Sequence, residues 1–200
     1  MKYKNELGGI FERTLSHNTL DIKLAALQAL SNYLSVAERK DTKEFIRLLP
    51  LMTAVVTQAF AEEEETVLED ALVEFNELAE IEPNFFRVNF KDLYQAFKPI
   101  VAHTDFANNS IRHQPMEFVV TIIERKPSLA KKDDALIRDI LELIFQLMID
   151  IDEDIDNDWI RPREGFSGEE EDEDNVAFGK QAVDRLVAGV GDEKMLPLIG

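Results

Sequence analysis

The feature that most limits how this chain can fold is a repeat. Apolar anchors recur at Phe11, Val56, Ile100 and Ile144, with offsets of 45, 44 and 44 residues. A second series runs Ile22-x3-Ala26-Leu27, Val67-x3-Ala71-Leu72, Ile111-x3-Pro115-Met116 and Phe178-x3-Ala182-Val183, with offsets of 45, 44 and 67. The two series lie 11 residues apart in the first three units and 34 apart in the fourth. The fourth unit therefore carries 23 more residues between its anchors. They belong to the stretch "DIDEDIDNDWIRPREGFSGEEEDEDN" (150–175).

Long segments carry apolar residues at three- and four-residue spacing: "IKLAALQALSNYL" (22–34), "VLEDALVEFNELAE" (67–80) and "IRDILELIFQLMI" (137–149). That period places them on one face of a helix. Strand-like alternation is nearly absent, and the 8 glycines and 7 prolines leave few breaks, so the chain reads as all-α. Two helices per 44–45 residues is too long for a 34-residue tetratricopeptide unit and matches the HEAT or armadillo range of roughly 40–47. Such units cannot bury their own apolar faces and must stack. The expected fold is an α-solenoid of HEAT repeats, a right-handed stack of units about 1–40, 41–82, 83–128 and 129–191, with insertion 151–174 in the fourth and a further unit opening at 192–200. A single irregular helical bundle is the competing arrangement; a register held in both helices of four units favours the stack.

The register also predicts faces. On the second helices, Ile22, Ala26, Leu27, Leu30 and their equivalents should be core. A stripe three, four and seven residues apart turns polar along the chain: Asp70 and Glu77, then Gln114, Glu117 and Thr121, then Gln181 and Asp184. Stacking would align it into one surface, either a binding face or a merely solvated one. Pro115 falls inside its helix and should kink it or delay its start.

Charge narrows the partners. The chain has 22 basic and 40 acidic side chains, a net charge of −18. Direct DNA or RNA binding needs a basic footprint, and anionic lipid repels such a chain, so nucleic acid and membrane are excluded as partners and basic proteins are favoured. Apolar stretches such as "FVVTII" (118–123) are too short to span a bilayer. The absence of cysteine removes disulfides and thiolate chemistry and fits a reducing compartment.

No constellation supports an enzyme. "DIDEDIDND" resembles a calcium loop, but registers starting at Asp150, Asp152 or Asp154 place Ile155, Asn157 or Trp159 where glycine is required and Arg161, Arg163 or Gly165 where glutamate is required. No metal and no cofactor are expected. His17, His103 and His113 share no metal-ligand spacing; His17 and His103 fall at first-helix ends, where a cation suits the helix dipole. "NNS" (108–110) reads as helix capping. What remains is the insertion. Residues 151–174 hold 12 acidic and two basic side chains, a net charge of −10, together with the only tryptophan. A solvated spacer has no need of Trp159 among isoleucines. The stretch reads as an acidic site for a basic partner, formed by Asp150, Asp152, Asp154, Asp156 and Asp158, the anchor Trp159, and Glu169, Glu170, Glu171, Asp172, Glu173 and Asp174.

Several segments resemble one family. They are "LLPLM" (48–52), "FNELAEIEPNFFR" (75–87), "NNSIRHQPMEFVVTIIERKP" (108–127), "LMIDIDEDIDNDW" (147–159) and "EEEDEDNVAFGKQAVDRL" (169–186). With the repeat register they look like the importin-beta (karyopherin-beta) nuclear transport receptors, closest to the importin-five-like branch. The resemblance implies a superhelix of HEAT repeats longer than this chain, with this chain a fragment of its N-terminal half. It also implies shuttling between cytoplasm and nucleus, and cargo with basic nuclear localisation signals, ribosomal proteins and histones among them, bound on the second helices. Ran-GTP would release that cargo, nucleoporin FG repeats would be contacted in transit, and an acidic loop would take part in the competition between cargo and Ran. Pro115 departs from the family's usual aliphatic residue. The alternative is a HEAT scaffold or acidic assembly chaperone unrelated to Ran.

Overall fold

A computed structural model describes residues 2–150 and 175–199. Among them there are helices and connecting turns and no strand. The first pair is α1 (Lys2–Leu15) and α2 (Leu20–Val36). The second pair opens with α3 (Arg39–Phe45), a 3-10 turn over Ile46–Leu48 and α4 (Leu49–Ala61), and closes with α5 (Glu65–Ile81). The third is α6 (Phe90–Val101) and α7 (Ser110–Arg125). The fourth is α8 (Asp134–Ile149) and α9 (Asn175–Val190), followed by α10 (Asp192–Ile199).

Local chemistry sets several of these limits. α5 and α7 both end two residues before a proline, in Ile81-Glu82-Pro83 and Arg125-Lys126-Pro127. A proline disfavours the helical conformation of its predecessor, and Glu82 (φ −133°, ψ 65°) and Lys126 (φ −137°, ψ 66°) have left it in the same way. A short 3-10 turn then leads into each following first helix. At α8 the Asp133 carboxylate accepts from the Leu136 amide at 3.1 Å, satisfying one orphan donor of the first turn.

The pairs stack as a solenoid. Second helices pack in series, α2 on α5, α5 on α7 and α7 on α9; first helices follow, α1 on α4, α4 on α6, α6 on α8 and α8 on α10. The apolar core runs through the stack without a break. Between the second and third units it is aromatic: Phe75 of α5, Phe97 of α6 and Phe118 of α7 meet with centroids 5.3–5.9 Å apart, and Phe86 lies 4.9 Å from Phe118. The Phe75–Phe97, Phe75–Phe118 and Phe97–Phe118 pairs are edge-to-face, which suits the ring quadrupoles.

Three expectations change. Ile22 is 41% exposed, whereas Leu27, Leu30 and Leu34 are buried. At 3.6 residues per turn Ile22 lies roughly a third of a turn from the centre of that buried arc, and Leu20 takes up the first-turn anchor instead. Pro115 does not delay α7, which starts at Ser110 and runs through it. Finally, the helical run Lys40–Ala61, 22 residues, is long and apolar enough by composition to cross a membrane, unlike the short stretches singled out in the sequence. In the fold Phe45, Leu48, Leu49, Met52, Val55, Val56 and Ala59 of this run are buried in the core.

Candidate partner-binding surface

The acidic insertion leaves from Ile149 and returns at Asn175, and both roots are fastened to the start of α7. Arg112 is the fastening. Its side chain is only 4% exposed, and its guanidinium donates to the Val101 carbonyl at 2.9 Å and to the Asp150 carboxylate at 2.5 Å. Asn175 closes the ring: its amide donates to the Asp150 carbonyl at 3.1 Å, and its side-chain oxygen lies 2.7 Å from His113 Nε2. The His113 ring stacks flat on Phe178, with centroids 4.2 Å apart and planes 5° from parallel. Asp150 is thus part of the scaffold, paired with Arg112. Asp152, Asp154, Asp156, Asp158, Trp159, Glu169, Glu170, Glu171, Asp172, Glu173 and Asp174 lie outside the described residues.

The second-helix stripe divides into two kinds of residue. Asp70, Glu77, Gln181 and Asp184 are exposed. Between Asp70 and Glu77, half-buried Glu74 has its carboxyl pKa raised, first by burial and then by the charges of Glu77 and Asp70. Gln114, Glu117 and Thr121, by contrast, are engaged inside the protein. Gln114 accepts from Asn76 at 2.6 Å across the α5–α7 contact. Glu117 takes Arg185 Nη1 on both oxygens at 2.7 Å. Thr121 accepts from Arg185 Nη2 at 2.9 Å and donates to Glu117 at 2.9 Å. Glu124 accepts from Nε and Nη2 of the same guanidinium, at 3.0 and 2.9 Å. Burial would lower the Arg185 pKa, but the hydrogen bonds and charges of Glu117 and Glu124 outweigh it and hold the group firmly protonated. Arg185 is a staple between α7 and α9 that engages both Glu117 oxygens and the Thr121 hydroxyl.

The first helices carry a similar junction. Tyr94 donates to Asp139 at 2.7 Å, and Lys98 pairs with the same carboxylate. Lys98, opposed by partial burial and helped by the Tyr94 hydroxyl, lowers the Asp139 pKa. Burial first, and then Asp139, push the Tyr94 hydroxyl well above its ordinary value.

His17 and His103 lie just past the ends of α1 and α6, as expected, and each also makes a specific side-chain contact. His17 Nδ1 accepts from the Thr19 amide at 3.0 Å, at the turn into α2. His103 packs edge-on against Phe60 and Phe106, at 5.4 and 4.6 Å. In "NNS" it is Asn108 whose side chain accepts from the Ser110 amide, at 2.8 Å, as α7 begins. Among the described residues no group of three or more His, Asp or Glu is placed to hold a metal ion.

The repeat register could not find Arg112, because its equivalents in the other units are Lys23, Leu68 and Gly179. The available signal was a charge beside a core anchor, which demands a buried counter-charge. Arg185 gave none, since a basic residue next to Asp184 reads as solvated.

Two family descriptions together span nearly the whole chain: "IPO5-like, TPR repeats" over residues 1–96 and "Importin repeat" over residues 105–197. The chain belongs to the importin-beta family, on its importin-5-like branch. The observed 44–45-residue unit is longer than a tetratricopeptide, whatever the first description is called. Solved structures share the importin solenoid. That of the karyopherin Kap121p bound to the extreme C-terminus of the protein phosphatase Cdc14p matches with a TM-score of 0.82 at 20% identity, covering 98% of this chain and 19% of Kap121p. Kap121p bound to RanGTP matches at 0.80 and 19% identity, covering 96% and 19%. Kap121p bound to Nup53p matches at 0.80 and 20%, covering 98% and 19%. The importin chain described here thus spans about a fifth of the length of those karyopherins.

Proposed function

We propose that this chain is a segment of a nuclear import receptor, a binding module rather than an enzyme, that holds basic nuclear-localisation-signal cargo on its second helices. The observation that carries the proposal is the set of exposed stripe carboxylates, Asp70, Glu77 and Asp184, on an importin stack in which Glu117 is already paired with Arg185. In this reading the acidic insertion raises the rate of encounter with basic cargo, in competition with Ran-GTP, and the whole receptor shuttles between cytoplasm and nucleus. Such a field acts mainly on association and is screened by salt.

The test is fluorescence anisotropy of a lysine-rich signal peptide against the wild-type chain and against Asp70→Lys/Glu77→Lys/Asp184→Lys. The expected result is binding at low salt, weakened by about an order of magnitude in the triple variant, the loss typical of reversing several rim charges. No binding of the peptide at low salt would sink the cargo reading. Cargo binding that Ran-GTP fails to displace from the full-length receptor would favour a scaffold or assembly chaperone for basic proteins.

A further inference from the structure

A cleft of about 350 Å³ opens at the turns that join first to second helices in the second and third units. That volume is at the lower end of ligand clefts, roughly 300–1,000 Å³. One wall is aromatic: Phe60 of α4 with His103 and Phe106 of the α6–α7 connection, at centroid distances of 4.6–6.1 Å and interplanar angles of 54–87°. The other side is acidic, with Glu63, Glu65 and Asp105. None of these three carboxylates is ion-paired within the described residues.

Two other clefts differ in this respect. The one beside Arg112 has its charge balanced by Asp150, and the one beside Phe85 mixes Glu82 with Lys43 and Arg87. The rim cleft alone of these three carries charge of a single sign.

The cleft is also built rather than incidental. Glu65 accepts from the Ala107 amide at 3.2 Å and so pins the connection that carries Phe106 onto α5. Ser110 reaches Glu69 at 3.5 Å on the same side. Glu63 is held at φ +58°, and a non-glycine residue there is uncommon and strained.

We infer that this cleft receives the side chain of an arginine presented by a partner polypeptide. A guanidinium stacks its face on aromatic rings while its fork of donors reaches carboxylates, whereas an ammonium is a compact, strongly hydrated point charge. The three rings supply the stacking wall, and Glu63 and Asp105 the acceptors. None of the residues that line the cleft belongs to the stripe.

The experiment is an amide-shift NMR titration of the full 200-residue chain with a capped Gly-Gly-Arg-Gly-Gly peptide, alongside its lysine and citrulline versions. Citrulline keeps the shape of arginine without its charge. Expected are shifts at Glu63, Glu65 and residues 103–107 with the arginine peptide, and weak or no shifts with the other two. Glu63→Asn removes a carboxylate while tolerating positive φ; combined with Phe106→Leu it should weaken binding about tenfold, the scale of one charge-assisted stacking contact. Asp70→Asn/Glu77→Gln should leave the residues that shift unchanged at 0.15 M salt, where charges beyond about 8 Å are largely screened. The inference is overturned if lysine or citrulline binds as well as arginine, if the shifts map elsewhere, or if the stripe variant abolishes them.

Discussion

A carboxylate in this importin is defined by what faces it, and three of them show the range. Asp150 faces a nearly buried guanidinium, so its loss strands a charge. Asp150→Asn should cost about 2 kcal/mol in urea unfolding, below the 3–5 typical of a fully buried pair because Asp150 is itself 37% exposed. Asp70→Asn, at an exposed position, should stay within about 0.5 kcal/mol of wild type. Glu74 is the opposite case, since its pKa is raised in the fold by burial and by its acidic neighbours. A carboxyl that holds its proton more tightly when folded costs stability once ionised. That cost sets in as pH rises through the unfolded carboxyl value, about 4.3, and is complete above the folded one. Glu74→Gln should therefore unfold at a higher temperature than wild type at pH 7, by an amount worth less than about 1 kcal/mol for a half-exposed group, and the advantage should vanish below the unfolded value. Parallel thermal melts across pH 3–8 decide it; an advantage that persists at low pH would assign it to packing instead.

Helices in this stack are positioned by contacts that repeat and by others that occur once. Core anchors repeat, which is why the 44–45-residue register locates the first three second helices and predicts the burial of Leu27, Leu72 and Met116, while their equivalent in the fourth unit, Val183, is only partly buried. The contacts made once were invisible to it. Arg185 binds α9 to α7, and Gly189 lets the same two helices approach: a Cβ there would stand 3.3 Å from Glu124 Cα. Neither residue has a counterpart in a periodic pattern, because each answers to one junction. The stripe suffered for the same reason, since spacing gives the face a residue occupies but not the partner that reaches it from the next unit. Gly189→Leu puts a branched side chain against backbone that has no rotamer with which to yield. It should cost about 1–3 kcal/mol, the usual range for overpacking. Gly189→Ala should be far milder, because about 1 kcal/mol of helix propensity opposes the tight contact. Chemical denaturation of the two variants separates close approach from propensity.

For the whole molecule, the insertion is where charge and architecture part company. It holds a net −10 of the chain's −18, yet its roots are closed by Arg112, Asp150, Asn175 and His113 within the described stack. The contacts that join the end of α8 and the start of α9 to α7 are thus made by residues outside 151–174. Net charge far from zero works against compactness through self-repulsion. Replacing 151–174 with a short Gly-Ser linker, Asp150 and Asn175 kept, should leave the cooperative unfolding transition intact. It should also raise the unfolding temperature at low salt, and the gain should shrink as ionic strength approaches 0.15 M, where the screening length is about 8 Å. Association with a basic peptide should move the other way. Its on-rate at low salt should fall by about tenfold or more as the steering field is removed, while dissociation changes little. Stopped-flow association and thermal melts over a common salt series read both effects from one pair of proteins. A linker variant that fails to fold would show that the clasp cannot hold the fourth unit unaided. An unchanged on-rate would show that the acidic insertion does not steer its partner.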